Sequence, residues 1–221
     1  MDMPSGLLGA GWQWLGHLIF ALVLGYAMRY AQWRRLADRQ TLNVFLGTCV
    51  ALMVVWSIKA GISPGMHFHY LGMTVLTLMF GWHLAVFAAA LVLLGVTLNG
   101  GAGWEAYSVN ALVMGVVPIT VSWAILRTVE TKLPNNYFVY VLGNAFFGGG
   151  LAVAASGLLV ALLLALSGTY PVARIAYEYL PFFPLMMVPE AFLNGMVTAI
   201  LVGFRPEWVL TFDDRRYIVG K

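Results

Sequence analysis

The chain has 221 residues, of which 61% are hydrophobic and 10% charged, with a formal net charge of +3. An average soluble domain carries about 25% charged residues, so the composition excludes an ordinary soluble fold and predicts an all-α, polytopic membrane protein. It also leaves no room for a soluble domain between the spans, so residues 1–221 are read as a single membrane domain. The one cysteine, Cys49, rules out an internal disulfide and a cysteine-built metal site, and its apolar surroundings predict a small core residue.

Residues 1–12 hold an acid at Asp2 and no basic run ahead of the first apolar stretch. They do not read as a cleavable signal peptide, so the chain is expected to keep its N-terminus, with Met1 carrying the free amine. A first span is expected over about Trp12–Tyr30 and a second over about Leu42–Ile58. Next comes the densest set of metal-capable donors, Ser63-Pro-Gly-Met-His-Phe-His-Tyr70. Pro-Gly forces a turn, and the residues after it can open a helix with unpaired first amides. Residues 68–98 are then apolar over about thirty positions, too long for one span of about 20. Gly81-Trp82-His83 interrupts them, which predicts two shorter helices, about Phe68–Phe80 and His83–Leu98, joined by a tight bend. A glycine-rich loop from Asn99 to Trp104 follows. Further spans are expected over about Tyr107–Leu126, Phe138–Leu166 and Pro181–Val202, before a polar tail over 205–221.

Charge sets the expected topology. With seven spans and the N-terminus outside, ten of the twelve basic residues fall inside, and only Lys59 and Arg174 remain outside. The positive-inside rule favours that arrangement; six spans would place a basic cluster on the wrong face. The basic residues are thus topological and do not point to nucleic acid. Residues 1–12 become an extracytoplasmic segment and 205–221 a cytoplasmic tail.

Three segments then converge on the outer face. The first brings the Met1 amine, the Asp2 carboxylate and the Met1 and Met3 thioethers. The second brings Met66, His67 and His69, and the third Asn99, Glu105 and Asn110. Nitrogen donors favour divalent late transition metals, and thioethers lean toward copper(I). Most of the eleven methionines read as packing residues, and His17 and His83 read as hydrogen-bonded structural groups.

The ordered motifs resemble a known family. Met1-Asp-Met-Pro-Ser-Gly-Leu-Leu, Pro64-Gly-Met-His-Phe-His-Tyr-Leu-Gly72, Asn110-Ala-Leu-Val-Met-Gly-Val-Val117, Pro189-Glu-Ala-Phe-Leu-Asn-Gly-Met-Val-Thr-Ala199 and Arg205-Pro-Glu-Trp-Val-Leu210 are similar to successive segments of CbiM/NikM-type proteins. These are the substrate-capture permeases of energy-coupling-factor transporters for cobalt and nickel. The resemblance covers nearly the whole chain and implies seven helices in a bacterial inner membrane. It also implies a transmembrane coupling subunit and cytoplasmic ATPase subunits as partners. It further implies that the N-terminal amine, the backbone nitrogen and side chain of residue 2, and His69 hold the metal. The family has His at position 2 and Ser where His67 stands. Here a carboxylate replaces one imidazole, and His67 can supply another. The expected site is therefore Met1, Asp2, His67 and His69, with nickel or cobalt as substrate and zinc or copper left open. The alternative is a solitary relative serving as an accessory subunit of a larger membrane complex, its metal site altered or lost.

Glu190, an acid inside the last span, must face protein or a polar cavity. It reads either as an ion-linked group or as a buried acid hydrogen-bonded to Asn194, Asn144 or a hydroxyl. The small residues Gly143, Gly148–Gly150, Ala154–Ala155 and Gly157 allow close helix approach, within the chain or to a partner. There is no Walker-type loop, nucleophile elbow or His-Glu-x-x-His helix. The reading is a transport component rather than an enzyme, with any ATP hydrolysis on partner subunits.

Overall fold

The computed structural model describes residues 2–61 and 63–219. Long helices dominate: α1 (Ala10–Tyr30), α2 (Arg39–Ser57), α3 (Met73–Leu98), α4 (Tyr107–Lys132) and α5 (Tyr137–Leu166). They are followed by the short α6 (Val172–Glu178), α7 (Phe183–Phe204) and a terminal turn of helix, α8 (Asp214–Tyr217). Five stretches are long and apolar enough to cross a membrane, namely α2, α3, α4, α5 and the Val172–Phe204 segment. Their large outward side chains, such as Leu151, Leu162, Phe192 and Ile200, are exposed, which makes sense only where the surroundings are lipid. The molecule is a multi-pass helical membrane protein.

The bend expected at 81–83 is present. Gly81 has φ 74° and ψ 169°, a conformation essentially confined to glycine. Contacts along α2 show that the chain reverses there. Gly72 lies against Leu52 and Phe80 against Phe45, then Phe87 returns to Phe45 and Gly95 to Met53. Helix α3 is therefore two antiparallel limbs, 73–80 and 82–98. Both limbs are largely buried, so they form the centre of the bundle.

One sequence expectation needs correcting. Helix does not resume at Phe68 but at Met73, because residues 67–68 are engaged in a two-residue antiparallel ladder. Strands β1 (Ala60–Gly61) and β2 (His67–Phe68) pair with Gly61 opposite His67 and Ala60 opposite Phe68. The Ser63 carbonyl accepts from the Met66 amide at 2.8 Å, closing the Pro-Gly turn.

The eight-residue limb 73–80 has unpaired backbone groups at both ends, and an apolar medium gives them no water. Distant segments supply the partners. At its start, α7 contributes Glu190 and Asn194. The Glu190 carboxylate accepts from the Leu71 and Gly72 amides at 2.9 and 2.8 Å, and Asn194 Oδ1 accepts from the Val75 amide at 2.9 Å. At its end, the C-terminal segment donates from the Leu210 and Thr211 amides to the Met79 and Leu78 carbonyls, at 3.1 and 3.2 Å. Thr211 in turn bonds Tyr140, and Arg216 pairs with Glu130 at 2.8 Å, fixing this tail to α4 and α5. The glycine stripe of α5 packs internally, Gly149 on Asn194 and Gly157 on Phe183.

Replacing Gly81 by alanine forces a side chain into this backbone conformation, at a cost of about 1–3 kcal/mol. The melting temperature of the detergent-solubilised protein should fall. Gly9→Ala, at φ −61° in open space, should leave it unchanged. Equal melting of all three forms would contradict the reversal at Gly81.

Candidate metal-capture site

The N-terminal segment is held inside the end of the bundle that also carries the Pro64-Gly65 turn and the Gly100-Gly101 loop. Asn110, fully buried near the start of α4, makes the anchor. Its Oδ1 accepts from the Met3 amide at 2.7 Å and its Nδ2 donates to the Met3 carbonyl at 2.9 Å. Asn110 thus gives Met3 the reciprocal pair that a neighbouring strand would give. A π-helical stretch, Ala111–Val116, follows directly; such irregularities are frequent at functional sites. Met3 and Met66 are fully buried and Asp2 is 7% exposed.

Asp2 and His67 meet. His67 Nδ1 lies 3.3 Å from Asp2 Oδ1 and 3.5 Å from the Asp2 carbonyl. Two donors about 2.1 Å from a metal and at right angles to each other lie about 3 Å apart, so this spacing suits adjacent positions on one ion. Asp2 Oδ1 is buried and accepts no hydrogen bond among the described residues, which leaves a lone pair available. The imidazole of His67 crosses its ladder partner Gly61 so closely that any Cβ there would collide with the ring. The turn is braced from α6 and the residues before it: Arg174 donates to Ser63 Oγ at 3.0 Å, and the Tyr170 hydroxyl donates to the Pro64 carbonyl at 3.1 Å.

His69 is placed deeper. Its Nδ1 contacts the Tyr70 carbonyl at 3.1 Å and its Nε2 faces the Met114 thioether at 3.3 Å. Burial pushes its pKa down to about 3, so the ring is neutral at physiological pH. A carbonyl only accepts, so Nδ1 holds the single proton and donates it to Tyr70. Nε2 then presents a lone pair to a sulfur that has no proton to give. His69 also lines a cavity of about 230 Å³ together with Lys59, Tyr70, Met186 and Glu190.

Lys59 is the residue that sequence reasoning missed. The sequence marks it only as a charge, yet its ammonium donates to Asp2 Oδ2 at 2.5 Å and to the Gly101 carbonyl at 2.6 Å. Burial alone would raise the Asp2 pKa. The Lys59 hydrogen bond and the nearby positive charges outweigh burial and hold the carboxyl below its ordinary value. A signal existed: a buried acid needs a cation, and the face expected to carry Asp2 has only Lys59 and Arg174 to offer.

Other candidates fall elsewhere. Met1 lies outside the described residues. Asn99 and Glu105 are exposed. His17 bonds Ser108 at 2.7 Å and His83 packs among Tyr26, Tyr30 and Trp82, both as structural groups. Glu190 serves the start of α3, with Asn194 also donating to it at 2.9 Å. Among the described residues, no three His, Cys, Asp or Glu side chains converge closely enough to hold a metal.

Fold and site together define a helical membrane protein whose N-terminal segment and histidine turn meet at one end of the bundle. Residues 2–208 match the model of the CbiM family, described as the cobalt uptake substrate-specific transmembrane region. The chain belongs to this family and is a membrane component of transition-metal uptake. It is 29% identical over 225 residues to the "Putative metal transport protein" of Haloquadratum walsbyi, covering 96% of this chain and 94% of that one. Two crystal structures share the fold at TM-score 0.77 and 21% identity, each over 92% of this chain. One is of a truncated transition metal transporter, 99% covered, and the other of a transition metal transporter, 93% covered.

Replacing Glu190 by leucine would strand the Leu71 and Gly72 amides, while Asn194 keeps its bond to the carbonyl of residue 190. The stability loss should be about 3 kcal/mol or more, since buried groups left unpaired cost about 1–3 kcal/mol each. Hydrogen exchange at Leu71 and Gly72 should accelerate. Unchanged protection of those two amides would remove Glu190 from the capping role.

Proposed function

We propose that the protein captures a divalent transition-metal ion at the outer face of the membrane, as the substrate-specific component of an energy-coupling-factor transporter. The observation that carries this reading is the meeting of Asp2 and His67 from segments 65 residues apart, in a chain of the CbiM family. The ligand set we propose is Met1, Asp2, His67 and His69. Asp2 Oδ1 and His67 Nδ1 already face each other; His69, whose Nε2 lone pair is turned to Met114, would have to swing toward them on metal binding. One carboxylate among nitrogen donors suits cobalt or nickel, and zinc can use the same set.

The proposed orientation follows from charge. Counting both limbs of α3 gives seven passes, with residues 1–12 outside and 205–221 in the cytoplasm. The basic residues, Lys59 and Arg174 excepted, then lie inside. Energy for uptake would come from a transmembrane coupling subunit and cytoplasmic ATPase subunits.

A second reading is that the protein is an accessory subunit of another membrane complex. The engagement of Asp2 by Lys59 favours it, because the carboxylate is balanced without a metal.

Elemental analysis of the protein purified from metal-supplemented membranes separates the two. The capture reading expects about one ion per chain, as for a single protein-built site, and its loss in the His67→Ala/His69→Ala double variant. A wild-type chain that carries no metal, cannot be loaded with cobalt, nickel, zinc or copper, and co-purifies with an unrelated complex supports the accessory role.

A further inference from the structure

Lys59 reaches only one oxygen of Asp2. Its ammonium sits 2.5 Å from Oδ2 and 2.6 Å from the Gly101 carbonyl, so the lysine ties the end of α2 to the N-terminal segment and to the loop after α3. The second carboxylate oxygen, Oδ1, is buried, accepts no hydrogen bond among the described residues and lies 3.3 Å from His67 Nδ1. The two oxygens of one carboxylate therefore have different fates: one is consumed by a fixed cation, and the other is aimed at an imidazole. Both side chains of the Lys59–Asp2 pair are mostly shielded from solvent.

We infer that Lys59 is a positioning residue that makes Asp2 a one-oxygen ligand and thereby biases the site toward late transition metals. The inference rests on the metal-capture reading above. A free carboxylate can bind a cation through both oxygens, the mode that hard, oxygen-preferring ions exploit. With Oδ2 held by Lys59, an incoming ion obtains a single oxygen from Asp2 and must draw its remaining bonds from nitrogen. Ions that bind imidazole well tolerate this, and ions that depend on carboxylates do not. The same ammonium fixes the rotation of the Asp2 side chain, as partners behind the ligands do in metal sites generally.

The test uses the full-length protein in detergent and measures dissociation constants for cobalt(II) and manganese(II). In Lys59→Met the second oxygen is released, so the preference for cobalt over manganese should shrink by about tenfold, the size of one lost discriminating interaction. Lys59→Arg, which can still donate to Oδ2, should retain most of the preference. If the wild type binds cobalt and Lys59→Met keeps the same preference, the role assigned to Lys59 is wrong while metal capture stands. If the wild type binds neither ion, the capture reading fails and this inference falls with it. Infrared difference spectra of the unmutated protein keep the assignment falsifiable should Lys59→Met not fold. The carboxylate bands that appear on cobalt loading and vanish in Asp2→Asn should show the wide separation of one-oxygen coordination. The narrow separation of two-oxygen coordination would overturn it.

Discussion

One side-chain amide holds the arrangement together. Asn110 exchanges two hydrogen bonds with the backbone of Met3, in a setting where neither partner has water to fall back on. An unpaired amide or carbonyl in such surroundings costs several kcal/mol, so the N-terminal segment is committed to this path through the bundle. Everything at the candidate site follows from it. Asp2 is delivered one residue away, beside His67 and within reach of Lys59, and the glycine-rich loop closes over it through Gly101.

The same constraint explains the centre of the molecule. An isolated eight-residue helix is unstable in water, and in an apolar medium each of its end groups also needs a partner. The limb 73–80 gains partners from α7 at one end and from the C-terminal segment at the other. Placing an acid inside a span costs about 2.5–3.5 kcal/mol, whereas hydrogen bonds to a charged group contribute about 1.5–3 kcal/mol each. Glu190 accepts from two backbone amides and from Asn194, which offsets part of that cost. This acid is a cap contributed from a distant helix, and its capping also sets where His69 and Tyr70 leave the hairpin.

Much of this was legible in the sequence. The long apolar helices, the Pro-Gly turn and the interruption at Gly81 all carry local signals; the structure has the turn, the interruption and five stretches long and apolar enough to cross a membrane. Helix α3 starts five residues later than the local pattern predicts, because residues 67–68 pair with 60–61 and its cap, Glu190, comes from 119 residues away in sequence. No local pattern encodes such a partner. Lys59 was overlooked for a related reason: its partner Asp2 is 57 residues away, and a lone lysine in a loop carries no periodicity. Asp2 and His67 were nominated as neighbours from topology alone, and they do touch. His69 approaches Met114, which lies in the π-helical stretch Ala111–Val116, and the sequence has no clear signature for that stretch.

The central claim is that the N-terminal segment and the histidine turn hold one metal ion between them. X-ray absorption spectroscopy on the cobalt-loaded protein tests it most directly. The account predicts an inner shell of nitrogen and oxygen donors with the outer-shell scattering typical of imidazole, reduced in amplitude by His67→Ala. A spectrum without imidazole scattering, or one dominated by sulfur, would contradict it.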